Sequence, residues 1–440
     1  MTTRPDRRLV IVVRADPVIC GHSGEARNLA EVALTRGFDD VRIVTWPLDR
    51  LEETGLPLKP LATVMPYSPG ITVERPAPVG GYKIPDGRFQ AGITGRLIEL
   101  FTDGVPTVCL SLYLSPHTLA VQEAVSAARA TGLPVNVTTI AEAVGSDVTD
   151  VVRACVEADR FGAAAHVLSS YLAQDHCVAV SDYTKEVIVE AAAAIDARYG
   201  TDFATQCERR VGISYPAIDT SAYLDLDPAV TDAVVRRRGL TRDGYVLFLS
   251  RLGTAKGVDD LIDGFAASMT HHSRTLVIAG RGPDAAALQA HAASSPAAHR
   301  IRFLDDVGDE EKPHLMAACA AYVLPSKPRP EFTETFGIAL VEEMLAGGGP
   351  VITCATGGIP EAVGSTALLV PTDDPHAIAG ALDEAILGMT DAHKDAHRRR
   401  AREHAMMCDR ERVFDALMSR LSASAAPMPQ MEPSGRVSAR

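Results

Sequence analysis

The chain has 440 residues, 46% of them hydrophobic, and a formal net charge of −13. That length accommodates two domains of ordinary size, and the apolar fraction excludes disorder for most of it. The acidic balance argues against general nucleic-acid binding and against an anionic membrane surface, and no run of about 18 apolar residues predicts a membrane span.

The first element, "RLVIVV" (8–13), stops at Arg14 and Asp16. It is too short for the apolar part of a signal peptide and reads as a buried strand. "VICGHSGEARNLAEVALTRG" (18–37) follows: a strand-end loop with Gly21, Ser23 and Gly24 that opens a helix, a place for close backbone approach to a phosphate. Further strands are predicted at "VRIVTW", "VPTVCLSL", "LPVNVTT" and "HCVAVS", with Ala-rich helical stretches between them. Pro57 to Pro85 carries seven prolines and reads as a long ordered loop interrupting the first domain. Turn residues at 213–230 mark a boundary, after which "YVLFLS", "TLVIAG", "RIRFL", "AAYVLP" and "GPVITC" form a second series. Two series of about five strands alternating with helices predict an α/β chain of two doubly wound domains. The expected division is 1–215 and 216–402, with a helix at about 403–421 returning to the first domain and a disordered tail at 422–440. The eight cysteines include no Cys-x-x-Cys pair, so they read as reduced thiols of a cytoplasmic protein.

Chemistry concentrates in the second half. In "LSRLGTAKGVDDLIDGFA" (249–266), Arg251 and Lys256 follow a strand end and precede a helix. Two cations at the carboxyl edge of a parallel sheet suit a diphosphate whose charge rises as it leaves, although such a pair alone also reads as surface ion-pairing. In "EFTETFGIALVEEMLAGG" (331–348), Glu334 and Glu342 are too far apart in helical phase to stack, at about 80°. Glu334 is expected in a loop and Glu342 inside the next helix, with Phe336, Gly337 and Ile338 at its amide-rich entrance. A carboxylate accepts two hydrogen bonds at once and so suits a vicinal diol. In "DDVGDEEKPHLM" (305–316), Asp309 and Lys312 present an acceptor and a donor that match the edge of guanine, or else simply start a helix.

Together these stretches, with "VIAGRGP" (277–283), "VLPS" (323–326), "GGIPEAV" (357–363) and "AVSDYTKE" (179–186), resemble the retaining nucleotide-sugar glycosyltransferases of family 4, which have the GT-B fold. The resemblance implies two Rossmann-like domains facing across a cleft, with the nucleotide on the C-terminal one. It implies Arg251 and Lys256 on the diphosphate, Glu334 on the donor sugar, Glu342 on the ribose, and Val307, Asp309 and Lys312 at a base pocket of the type found with GDP donors. Gly24, Phe336, Gly337 and Ile338 join the donor site, and acceptor-side candidates are His22, Ser23, His117, Thr138 and Glu142. No metal and no cofactor beyond the nucleotide sugar are implied. "DLD" (225–227) reads as a chance match to a metal motif. Expected partners are the nucleotide sugar and a small polar acceptor, with a second copy of the chain as an open alternative. The chain departs from the family at Pro216-Ala217-Ile218-Asp219 and in lacking a histidine within "VTTIAEAVG" (137–145). A mannosyltransferase of glycolipid precursors and a sugar-nucleotide epimerase of the same architecture remain alternatives.

Overall fold

The computed structural model describes residues 5–53, 57–80, 87–145, 147–330 and 332–424. Two all-parallel sheets organise them, each order reversing direction once. The first contains β1 (Arg8–Val12), β2 (Asp40–Val44), β3 (Ile71–Glu74), β4 (Thr107–Leu112), β5 (Val137–Ala143), β6 (His176–Ala179) and β7 (Val211–Ile213), in the order β3-β2-β1-β4-β5-β6-β7. The second contains β8 (Tyr245–Leu249), β9 (Thr275–Ala279), β10 (Ile301–Leu304), β11 (Ala321–Leu324), β12 (Val351–Cys354) and β13 (Ala367–Val370), in the order β10-β9-β8-β11-β12-β13. The central strands are buried on both faces, as crossover helices require, so they read as unbroken apolar runs such as "RLVIV" and "YVLFL".

Three strands lie outside the predicted set. β3 falls within the stretch read as a proline-rich loop: its "ITVE" is β-branched, and it pairs only at the sheet edge, where flanking prolines are tolerated. β7 and β13 are likewise short edge strands, three and four residues long, with too few positions to show a period.

The helices used below are α1 (Gly21–Thr35), α2 (Asp182–Tyr199), α3 (Pro228–Arg237), α4 (Val258–Ala267), α5 (Lys312–Ala317), α6 (Ile338–Ala346), α7 (Asp391–Ala405) and α8 (Arg410–Ser424). Asp227 accepts the N–H of Ala229 at 2.7 Å and caps α3, which accounts for the second acid of "DLD". α7 packs on α6 of the second sheet, and the chain then crosses back so that α8 lies against α1. There Phe414 meets Phe38 edge-on, with ring centroids 5.9 Å apart, and Arg36 pairs with Glu411 and Asp415. The two crossing segments hold one another: Ile218 N–H donates to Cys408 O and Arg410 N–H to Ile218 O, at 2.8 and 2.9 Å. α8 continues to Ser424, beyond the helix end expected from the pattern. The rest of the expected tail, 425–440, lies outside the described residues.

Candidate active site

The second sheet reverses its order between β8 and β11, and ligands of open α/β sheets bind at the carboxyl ends of strands beside such a reversal. Arg251 and Lys256 leave β8 there. Gly257 lets the two loops meet: its φ is 64°, and a β-carbon would lie 2.2 Å from Pro325 O on the loop after β11. That second loop is tied down by the buried Lys327, which donates to Asp260 at 2.7 Å and Asp259 at 3.0 Å in the first turn of α4. It carries Phe332 and Glu334 to the cations. Lys256 is buried and ion-pairs with Glu334, and its ammonium lies 4.8 Å from the Phe332 ring centroid. Arg251 is exposed, lies 5.9 Å from the same centroid, and pairs with no carboxylate among the described residues.

Glu334 precedes the helix and Glu342 lies within it. Gly337, with φ 101°, opens α6 directly after Phe336, which is buried against Tyr215 with centroids 5.3 Å apart. Gly357 and Gly358 of "GGIPEAV" run beneath: β-carbons there would lie 2.0 Å from Glu334 O and 1.9 Å from Thr335 O. Inside α6, Glu342 Oε1 accepts from Tyr223 Oη at 2.7 Å and from Lys312 Nζ at 2.6 Å. Burial works against the Lys312 ammonium, but the Glu342 carboxylate and Tyr223 outweigh it and raise its pKa.

Asp309 has a different partner. Asp309 Oδ2 meets Lys59 Nζ at 2.6 Å, and Lys59 also reaches Asp16 at 3.3 Å, so this lysine of the proline-rich segment bridges to the second domain. Burial resists ionisation of Asp309, but the Lys59 ammonium overrides it and holds the carboxyl below its usual range. Val307 is half-buried against the second core.

The start of α1 faces the start of α6. A β-carbon on Gly21 would lie 2.6 Å from Ile338 Cδ1, whereas one on Gly24 would meet open space. Two further links cross the domains: Ser181, the N-cap of α2, donates to Thr335 O at 2.7 Å, and Glu361 accepts the N–H groups of Asp182 and Tyr183 at 2.9 and 3.1 Å. The motifs "AVSDYTKE" and "GGIPEAV" thus meet each other. His22 Nδ1 lies 3.4 Å from Glu25 Oε2, and Ser23 Oγ is buried without a partner among the described residues.

Two acceptor-side candidates sit elsewhere. Thr138 lies at the amino end of β5, roughly 16 Å of strand from its carboxyl end and so at the wrong edge of the sheet. Strand direction, which a lone segment does not disclose, decides this. His117 is a core residue: its Nδ1 meets Leu112 O at 2.7 Å and its Nε2 meets Trp46 Nε1 at 3.3 Å. Burial, with help from Arg14, lowers its pKa to about 3. The unfolded chain therefore binds a proton that the folded chain refuses, so stability is intact above the ordinary value of 6.5 and falls as pH drops toward 3. In urea titrations, His117→Phe is expected to flatten the loss between pH 6.5 and 3 by on the order of a few kcal/mol relative to the parent. An unchanged slope would contradict this assignment.

Lys59, Tyr223 and Glu361 were not among the residues singled out from the sequence. Each acts on a partner more than a hundred residues away, and no local pattern signals that.

The family "Glycosyl transferases group 1" matches residues 235–404. D-inositol 3-phosphate glycosyltransferase of Streptomyces scabiei is 31% identical over 189 residues, 40% of either chain. O-antigen chain mannosyltransferase B of Escherichia coli is 29% identical over 163 residues, 36% of this chain and 41% of that one. The chain thus spans about two-fifths of the length of these relatives. Anabaena Alr3699/HepE, solved with UDP and glucose, superposes with a TM-score of 0.67 at 18% identity, covering 94% of this chain and 99% of that one. WaaG, a glycosyltransferase involved in lipopolysaccharide biosynthesis, superposes at 0.61 and 17% identity, with 94% and 99% covered. The chain has the two-domain GT-B fold, and its residues 235–404 are similar to group 1 glycosyl transferases.

Proposed function

We propose that the chain is a glycosyltransferase that moves a sugar from a nucleotide sugar, with GDP-sugars preferred, to a small polar acceptor with retention of configuration. The observation that carries this is the meeting of Arg251, Lys256 and Glu334 at the order reversal of the second sheet, beside the start of α6. In this reading the diphosphate lies against Arg251, Lys256 and the α6 amides. Glu334 then exchanges its lysine for sugar hydroxyls, and Glu342 accepts from the ribose diol. The bond from the anomeric carbon to the diphosphate oxygen breaks, and the acceptor bonds on the same face. The acceptor's proton passes to the leaving diphosphate, whose charge the two cations stabilise, so no strong protein base is needed. Two fixed cations supply the charge stabilisation for which other transferases use a metal. The preference for GDP rests on the resemblance of Val307, Asp309 and Lys312 to a GDP-type pocket.

Eight free thiols fit a reducing, cytoplasmic setting. The acceptor side belongs to the first domain, and an O- or S-glycoside of natural-product type is the product class we favour. The direct test is release of nucleoside diphosphate from GDP-mannose, GDP-glucose and UDP-glucose, with chelator present, and the anomeric configuration of the sugar product by NMR. Faster GDP release, insensitive to chelator and with retention, is expected. Epimer formation without release, or no turnover of any donor, would overturn the proposal.

A further inference from the structure

The first sheet has its own order reversal, between β1 and β4, and the loops leaving those strands meet there. Arg14, after β1, lies over the Tyr113 ring, 4.2 Å from its centroid, and His22 approaches the same ring edge-on at 5.8 Å. Tyr113, the residue after β4, has φ 97°, a conformation disfavoured for a bulky side chain. Among the described residues, eight buried side-chain polar atoms have no hydrogen-bond partner. Four of them lie along this edge: Arg14 Nε, Ser23 Oγ and both oxygens of Glu142. Buried polar atoms left unpaired are rare because each forfeits its water without replacement.

Glu142 is the sharpest case. It lies near the carboxyl end of β5, in register with Leu112 on one side and Val178 on the other. Those neighbours pack in the core beneath α1 and α8, so strand alternation places the Glu142 side chain on that face. Its carboxyl is wholly buried, and burial together with the Glu25 and Asp147 carboxylates pushes its pKa well up. Glu25 and Asp147 have their own partners. Glu25 Oε1 accepts Ala217 N–H at 3.0 Å, and Asp147 accepts the N–H groups of Leu114 and Gly145, each at 2.8 Å. Glu142 therefore lacks a donor, and the basic groups of this edge are engaged elsewhere, Arg14 over the Tyr113 ring and His22 beside Glu25. A hydroxyl would supply a donor but leave three acids together, whereas a protonated amine supplies a donor and a positive charge. Glu25, just past the first turn of α1, offsets the positive end of that helix.

We propose that Glu142, with Glu25 beside it, forms a subsite for a protonated amine on the acceptor, so that the acceptor is an amino-bearing polar molecule held by its nitrogen while another atom attacks the sugar. This rests on the transferase reading above, and it assigns the group to the acceptor because every residue of the subsite comes from the first domain.

The test is calorimetric titration of the full chain with glucosamine and with glucose at pH 7, in saturating GDP. Charge-assisted hydrogen bonds predict that glucosamine binds about 10- to 100-fold more tightly than glucose. Glu142→Gln, which removes no existing hydrogen bond, should still bind GDP but lose that preference, and Glu142→Asp should retain part of it. Equal binding of the two sugars, a preference that survives Glu142→Gln, or GDP binding with neither sugar bound would each overturn the subsite. If no nucleoside diphosphate binds at all, it is the transferase reading that fails, and the same comparison without nucleotide decides the subsite by itself.

Discussion

Replacing Lys256 with alanine is expected to lower kcat/KM for the nucleotide sugar by about 10²–10³, the loss typical of removing one preorganised group that stabilises developing charge. The magnitude follows from the setting of the side chain. Lys256 is 8% exposed, so its charge acts where water screens it poorly. Its ammonium is aimed by the pairing with Glu334 and backed by the Phe332 ring. Lys256→Arg should recover only part of the rate, because a planar fork does not fill the position of a compact ammonium. The exposed Arg251 should cost less when truncated, about tenfold, since solvent screens it. Steady-state kinetics on the three variants check this. Lys256→Ala with parental kcat/KM would remove the lysine from the site.

Removal of Glu342 is expected to act on stability and donor binding together. Glu342→Ala leaves the Lys312 ammonium and the Tyr223 hydroxyl without their shared acceptor. A fully buried pair broken this way loses about 3–5 kcal/mol, and the partial exposure of Lys312 and Glu342, 22% and 14%, reduces that to about 2–3 kcal/mol. Because the loss comes from an uncompensated charge, the double variant Glu342→Ala/Lys312→Met should be more stable than Glu342→Ala alone. Urea unfolding of Glu342→Ala, Lys312→Met and the double variant measures the cycle. Strictly additive losses would show that the pair does not couple. The double variant should still bind donor weakly, since the carboxylate proposed to hold the ribose diol is gone.

The second domain was legible because its chemistry is local in the chain. Arg251 and Lys256 sit five residues apart on one strand-to-helix loop, and Glu334 and Glu342 straddle one helix start, so helical phase alone separated a loop carboxylate from a helical one. Central strands such as β8 and β4 were visible as apolar runs buried on both faces. Edge strands β3, β7 and β13 were not, because so few residues carry no period. The acceptor side was read least well. Thr138 and Glu142 lie on one strand, yet strand direction sends one to the far edge and the other to the cleft edge. His117, an acceptor-side candidate in the sequence, is held neutral by burial between Trp46 and Leu112. Asp309 and Lys312 have separate long-range partners, Lys59 and Glu342, which their closeness in the chain does not disclose.

In the proposed function a nucleoside diphosphate binds at the carboxyl edge of the second sheet against Arg251 and Lys256. Calorimetric titration with GDP, UDP and ADP, without metal, of the parent and of Arg251→Ala/Lys256→Ala tests it most directly. GDP is expected to bind the parent, UDP and ADP more weakly, and the double variant should lose about 100-fold or more in affinity. Preference for UDP would discard the base-pocket reading of Asp309 and Lys312 alone. Failure of every nucleotide to bind, or equal binding by the double variant, would rule out a diphosphate site at these two cations.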